Sequence, residues 1–155
     1  MKIKKITAVN FKRYGRLITC PEKRSVARGV NLFRIVLKEN RRCGWRIAYL
    51  ILRDKSITKL EKHPDSFESF EPVHGKSLIY LASGKTPRKI ECFYLDKPIV
   101  LEKGIWHGVV TLGTESEIKI TENAEVKCVF WPLHFFYPVR SKAPKATAAP
   151  VGADF

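Results

Sequence analysis

From residue 30 onward the chain is a series of short runs rich in β-branched and aromatic residues, broken by Gly, Pro, Asp, Asn and Ser. The runs fall at 30–37, 45–53, 56–63, 77–83, 88–95, 99–101, 107–112, 117–120 and 126–132. Each has the length and composition of a strand, and the breaks have the composition of turns. In the second run Trp45, Ile47, Tyr49 and Ile51 alternate with Arg46, Ala48, Leu50 and Leu52. Both faces become apolar toward its end, which predicts a central strand covered on both sides. Ahead of these runs, residues 2–6 read as a short strand and residues 7–15 as one or two helical turns. Thr7 is placed to cap that helix and Gly15 to terminate it. Residues 16–29 read as a strand followed by a loop over one mouth of the fold.

About nine short strands with no long helix between them predict an all-β fold, either a closed barrel or a two-sheet sandwich. Polar residues at inward positions decide between these. In a strand over 57–63, Glu61 and His63 share a face because side chains alternate with period two. After a short turn Glu68 can return to that face, and Gly75 closes the segment. A Glu-x-His pair would be costly in a dry sandwich core; a barrel with an open mouth accommodates it. The distant element Gly104-Ile105-Trp106-His107 offers a second imidazole. Two carboxylates and two imidazoles from separate strands are the makings of an acid–base or metal site. Such a set suits Zn²⁺, Mn²⁺, Fe²⁺ or Ni²⁺ equally, and acid–base chemistry alone needs no cofactor. His74 and His134 read as structural. Residues 133–140 form an aromatic segment expected to pack outside the barrel or on a second subunit.

Composition adds constraints rather than function. The 155 residues are enough for one domain with a substantial core. The expected division is a domain over 1–140 and a flexible Ala/Pro-rich tail over 141–155. The formal net charge is +14, which suits a solvated basic face, an anionic small substrate or, less readily, nucleic acid. Cys20, Cys43, Cys92 and Cys128 form no Cys-x-x-Cys pair, so a zinc knuckle is not expected and the thiols read as core residues. No signal peptide and no apolar run of membrane-spanning length is present, so a cytoplasmic protein without a membrane partner is expected. The absence of glutamine and the scarcity of asparagine resemble thermophile usage.

The two motif stretches resemble those of the cupin superfamily, in which a His-x-His, a glutamate and a glycine precede a Pro-x-Gly element with a third histidine. Here Glu61 replaces the first histidine, Glu102 replaces the proline, and Thr111 stands where asparagine usually ends the second motif. A narrower resemblance is to the ureidoglycolate lyase family. It rests on Glu61-Lys62-His63-Pro64, Phe70-Glu71-Pro72, Gly104-Ile105-Trp106-His107 and the opening Phe11-Lys12-Arg13-Tyr14-Gly15, in order over residues 5–133. Glu68 and Lys62 depart from the glutamine and arginine common there. The resemblance implies a double-stranded β-helix (jelly-roll) barrel with a short N-terminal helix. It also implies a homodimer and the cleavage of ureidoglycolate to glyoxylate and urea in allantoin breakdown. By that resemblance His63, Glu68 and His107 are catalytic candidates, with Glu61, Lys62 and Trp106 as substrate-binding positions. A divalent metal would rest on Glu61, His63, Glu68 and His107. A non-catalytic barrel that binds a small anion is the alternative.

Overall fold

The computed structural model describes residues 1–138, so residues 139–140 of the aromatic segment and the expected tail over 141–155 lie outside the described residues. The strands, in chain order, are β1 (Ile3–Lys5), β2 (Gly15–Leu17), β3 (Val26–Arg28), β4 (Asn31–Phe33), β5 (Trp45–Leu52), β6 (Ser56–Lys62) and β7 (Glu68–His74). They continue with β8 (Ser77–Ala82), β9 (Glu91–Leu95), β10 (Ile99–Leu101), β11 (Trp106–Thr111), β12 (Ser116–Asn123) and β13 (Val129–Pro138), and one short helix, α1 (Ala8–Phe11), precedes β2. One sheet has the order β1-β9-β8-β11-β6-β13 and the other β2-β10-β7-β12-β5. From β5 to β8, and again from β10 to β13, consecutive strands alternate between the two sheets. That winding is a jelly-roll barrel, the all-β architecture expected from the sequence.

The core lies between the sheets. Phe70, Ile99 and Ile118 from one sheet meet Ile79, Leu81 and Phe93 from the other, all 2 % exposed or less. A second buried cluster, including Leu78, Tyr80, Trp106 and Val110, occupies the opposite face of the six-stranded sheet. The alternation Leu78/Ile79/Tyr80/Leu81 along β8 explains how one strand serves both clusters. Thr7 caps α1 as anticipated, its side chain accepting from Asn10 N while Asn10 Oδ1 accepts from Thr7 N.

Several expectations are corrected. Gly15 does not terminate the helix but opens β2, where a Cβ would lie 2.0 Å from the Val100 carbonyl oxygen; the glycine permits that close approach. The run 30–37 is not one strand: β3 and β4 make a separate two-stranded hairpin, and residues 34–44 cross the barrel surface without pairing. The strand β7 is missing from the predicted runs; in it Glu68, Ser69 and Phe70 are all buried. Most consequentially, β5 is not central. It pairs only with β12 and forms an edge, leaving Trp45 69 % and Tyr49 55 % exposed. Of the cysteines only Cys92 is buried. Among the described residues no helix is long and apolar enough to cross a membrane.

Candidate active site

Three strands deliver the polar cluster. His63 follows the end of β6, Glu68 opens β7, and His107 is the second residue of β11, in register with Glu61 of β6. The two sequence motifs are joined by backbone, since Gly104 N donates to His63 O at 2.8 Å. Gly104 adopts φ +76°, a left-handed turn that glycine enters without strain. The N-terminal Phe11–Gly15 element supports the same region: Glu102 N donates to Tyr14 O, and the Tyr14 ring is fully buried against Phe11 and Phe93. Its role in the structure is therefore to hold the second loop.

His63, Glu68 and His107 are buried, at 6, 6 and 2 % exposure. Glu68 Oε2 lies 3.3 Å from His63 Nε2 and 3.0 Å from His107 Nε2, and Glu61 Oε1 is 3.6 Å from His107 Nε2. Both rings are oriented from behind. His107 Nδ1 contacts the Ile105 carbonyl oxygen at 3.0 Å and His63 Nδ1 the Lys127 carbonyl oxygen at 3.3 Å. With Nδ1–H donated to backbone oxygen, each neutral ring presents its Nε2 lone pair to the cluster.

Charge and burial oppose each other here. Burial works against a charged His107, yet the Glu68 and Glu61 carboxylates outweigh it and push its pKa up to about 10. Burial likewise disfavours an ionised Glu68, but the His107 and His63 imidazoles hold it down to about 2. Burial also opposes charge on His63, and Glu68 reverses the sign, so its pKa is raised. Glu61 is lowered, chiefly by its contact with His107. The pairing is nevertheless incomplete. Although 3.0 Å apart, Glu68 Oε2 and His107 Nε2 are not aligned as a hydrogen bond, and neither atom has a hydrogen-bond partner.

These atoms fit a divalent cation. Ligand atoms of His63, Glu68 and His107 lie within 4.8 Å of one another. Two ligands bound at about 2.0–2.1 Å in tetrahedral geometry sit roughly 3.3 Å apart, close to the spacings around Glu68. A cation at that point would also satisfy the two orphaned atoms. Glu61, His63 and Cys128 form a second such trio, with Cys128 Sγ 3.5 Å from His63 Nδ1.

The remaining sequence candidates fall elsewhere. Trp106 points away from His107, into the cluster on the other face of the sheet, and its Nε1 donates to the Gly84 carbonyl oxygen. Lys62 sits over the Trp106 ring, its Nζ 4.4 Å from the centroid. Two residues went unrecognised in the sequence. Glu122 lies opposite Glu68 in register and places Oε2 4.0 Å from His63 Nε2, while its other oxygen pairs with Arg46. The inward alternation Ile118, Ile120, Glu122 carries that signal once β12 is extended to Asn123. Cys128 has no such signal, because its place beside His63 depends on β13 pairing with β6.

A cleft of about 400 Å³ opens beside the cluster, at the seam between β5 and β6, with Leu50, Lys59, Glu61, His107 and Phe130 in its wall. The opposite side of the cluster, against Ser66, Leu101 and Ile105, is closely packed.

No family model matches the chain, and no curated protein matches it. Solved structures are similar to part of the chain. One is a sugar 3,4-ketoisomerase from Thermoanaerobacterium thermosaccharolyticum in complex with TDP, with TM-score 0.45 and 15 % identity, covering 54 % of this chain. Another is Bacillus subtilis oxalate decarboxylase, a protein with Mn(II) centres, with TM-score 0.43 and 13 % identity, covering 59 % of this chain. The match spans 64 % of the ketoisomerase chain and 24 % of the decarboxylase chain, less than two thirds of either.

Proposed function

We propose that this barrel is a lyase that cleaves ureidoglycolate, or a closely related ureido or hydroxy acid, to glyoxylate and urea. The observation that carries the reading is the buried Glu68 carboxylate between two oriented imidazoles, one of which, His107, reaches with Glu61 into the wall of a cleft sized for a small molecule. The ordered motifs through residue 133 supply the substrate to test first.

Cleavage of this hemiaminal removes the hydroxyl proton as the carbonyl forms, breaks the carbon–nitrogen bond and returns a proton to the departing urea nitrogen. Glu61 and His107 both reach the cleft wall. Glu61, ionised through its contact with His107, takes the hydroxyl proton. An imidazolium at His107 supplies the proton to nitrogen, with Glu68 fixing its position and charge. Lys59 in the same wall offers a cation to the substrate carboxylate. A divalent cation, when bound, would be held by His63, Glu68 and His107 and would supply positive charge for that carboxylate; it would take the His107 Nε2 that otherwise carries the proton, so the acid role of His107 belongs to the metal-free protein.

The test is glyoxylate release from ureidoglycolate, with chelated protein and with protein supplied Zn²⁺, Mn²⁺, Fe²⁺ or Ni²⁺. Turnover that falls at least about 100-fold in Glu61→Gln and His107→Ala supports the assignment. Absence of turnover under all these conditions sinks it and leaves the barrel as a binder of small anions.

A further inference from the structure

A cleft of about 500 Å³ lies between the N-terminal elements and the 3₁₀ turn at Glu22–Arg24, and it shares no lining residue with the cleft beside His107. Its walls carry five cations: Lys12 after α1, Arg16 in β2, Lys23 and Arg24 in the turn, and Arg34 after β4. Among the lining residues Glu22 is the one carboxylate. Arg16 is paired with Glu102 at 3.0 Å, but among the described residues Lys12, Lys23, Arg24 and Arg34 form no ion pair. Set against Glu22 and Glu102, the five cations leave a net +3 around one concavity.

That arrangement differs from a solvated basic face. Exposed cations lower their mutual repulsion by spreading apart, whereas these come from four separate segments and converge where a concave wall concentrates their field. Two of the guanidinium groups are also held by backbone. Arg34 Nη1 donates to the Thr19 carbonyl oxygen at 2.9 Å, and Arg16 Nη1 donates to the Val36 carbonyl oxygen at 3.1 Å. These two bonds tie the chain around β2 to the segment after β4 and fix the two sides of the cleft relative to each other. A guanidinium has five N–H donors. Arg34 uses one of them on Thr19, which leaves the others for a ligand.

Charge and size narrow the ligand class. A single carboxylate would cancel one of the three positive charges. A phosphate monoester carries about −1.5 to −2 at pH 7 and offers three acceptor oxygens, and two joined phosphates come nearer to matching +3. The arginine fork also pairs with phosphate oxygens two at a time. The cleft volume falls in the range of small-molecule sites. A nucleic-acid strand instead needs cations spaced along a track that follows its backbone, and here they ring a single cleft.

We propose that this cleft is a second ligand site, separate from the acid–base cluster, and that it binds the diphosphate group of a small molecule among Lys12, Lys23, Arg24 and the fixed guanidinium groups of Arg16 and Arg34. The experiment is calorimetric titration of inorganic pyrophosphate into the full chain at low and at physiological salt. Chelated protein is used, so that no metal ion mediates the contact. Orthophosphate and a short single-stranded RNA are run for comparison, and adenosine diphosphate distinguishes an esterified diphosphate from the free ion. The variants are Lys23→Ala/Arg24→Ala and, on a different element, Lys12→Ala; all three residues are exposed and should leave the circular-dichroism spectrum unchanged. Lys85→Ala/Lys89→Ala, exposed between β8 and β9 and outside the cleft, removes the same charge as the double variant and serves as its control. The expected result is one diphosphate per chain, bound more tightly than orthophosphate. Affinity should fall at least about tenfold in Lys23→Ala/Arg24→Ala and several-fold in Lys12→Ala, while the control stays within about twofold of wild type. No saturable binding of either diphosphate at low salt overturns the proposal. So does an equal loss in the control, which would make the attraction one of net charge. RNA that binds through Lys23 and Arg24 and that pyrophosphate does not displace also overturns it and assigns the cleft to nucleic acid. None of these readouts depends on turnover at His107.

Discussion

Glu68→Gln keeps the shape of the side chain and removes the charge between the two imidazoles. In the metal-free protein His107 holds its proton with a pKa of about 10, so at pH 7 the protonated form is favoured by about three pH units. At 1.36 kcal/mol per unit this is about 4 kcal/mol, and loss of one partner from a buried pair costs about 3–5 kcal/mol. Glu61, 3.6 Å from the same nitrogen, retains a share. The expected loss of unfolding free energy at pH 7 is therefore about 3 kcal/mol. The pH dependence has a definite sign. The raised His107 contributes stability that is complete below its ordinary value of 6.5 and disappears as pH rises through about 10. The depressed Glu68 contributes stability that is present above 4.5 and is lost as pH falls through about 2. Urea unfolding with chelator at several pH values, on wild type and Glu68→Gln, measures both. A loss under about 1 kcal/mol at pH 7, or a difference that does not shrink as pH approaches 10, would refute the reasoning.

Other consequences are as direct. Zn²⁺ added to chelated protein should raise the melting temperature, by about 2.7 kcal/mol of stability at 100 times Kd, and should release protons in calorimetry; His107→Ala should abolish both signals. The cation competes with the protons on His63 and His107, so apparent affinity should rise with pH. Gly75→Ala should destabilise more than Gly104→Ala, as read by urea midpoints. Both occupy left-handed backbone, costing about 1–2 kcal/mol, but at Gly75 the new Cβ would also lie 2.7 Å from the Glu115 carbonyl oxygen, whereas Gly104 has open space. Ellman's reagent should label Cys20, Cys43 and Cys128 in the native protein and reach Cys92 only on unfolding, because Cys92 is buried and burial pushes its thiol up to about 11.

Local chemistry in the sequence was enough for the class of fold and for the heart of the cluster. Turn residues between short β-rich runs determine many strands and no long helix, and Thr7 announces the cap of α1. Period-two alternation places Glu61 and His63 together, and the Gly-x-Trp-His spacing singles out His107. What strand pairing decides cannot be read from one strand alone. The Trp45–Leu52 run is apolar on both faces, which suits a covered central strand, yet the winding of the barrel leaves it at an edge with one neighbour. Trp106 and His107 are adjacent in sequence, and the pleat sends them to opposite sides of the same sheet, one into packing and one into the cluster. Glu122 and Cys128 join His63 only because β12 and β13 lie beside β7 and β6. Composition and periodicity fix which residues avoid water. Long-range pairing fixes which of them meet, because it depends on contacts between strands tens of residues apart.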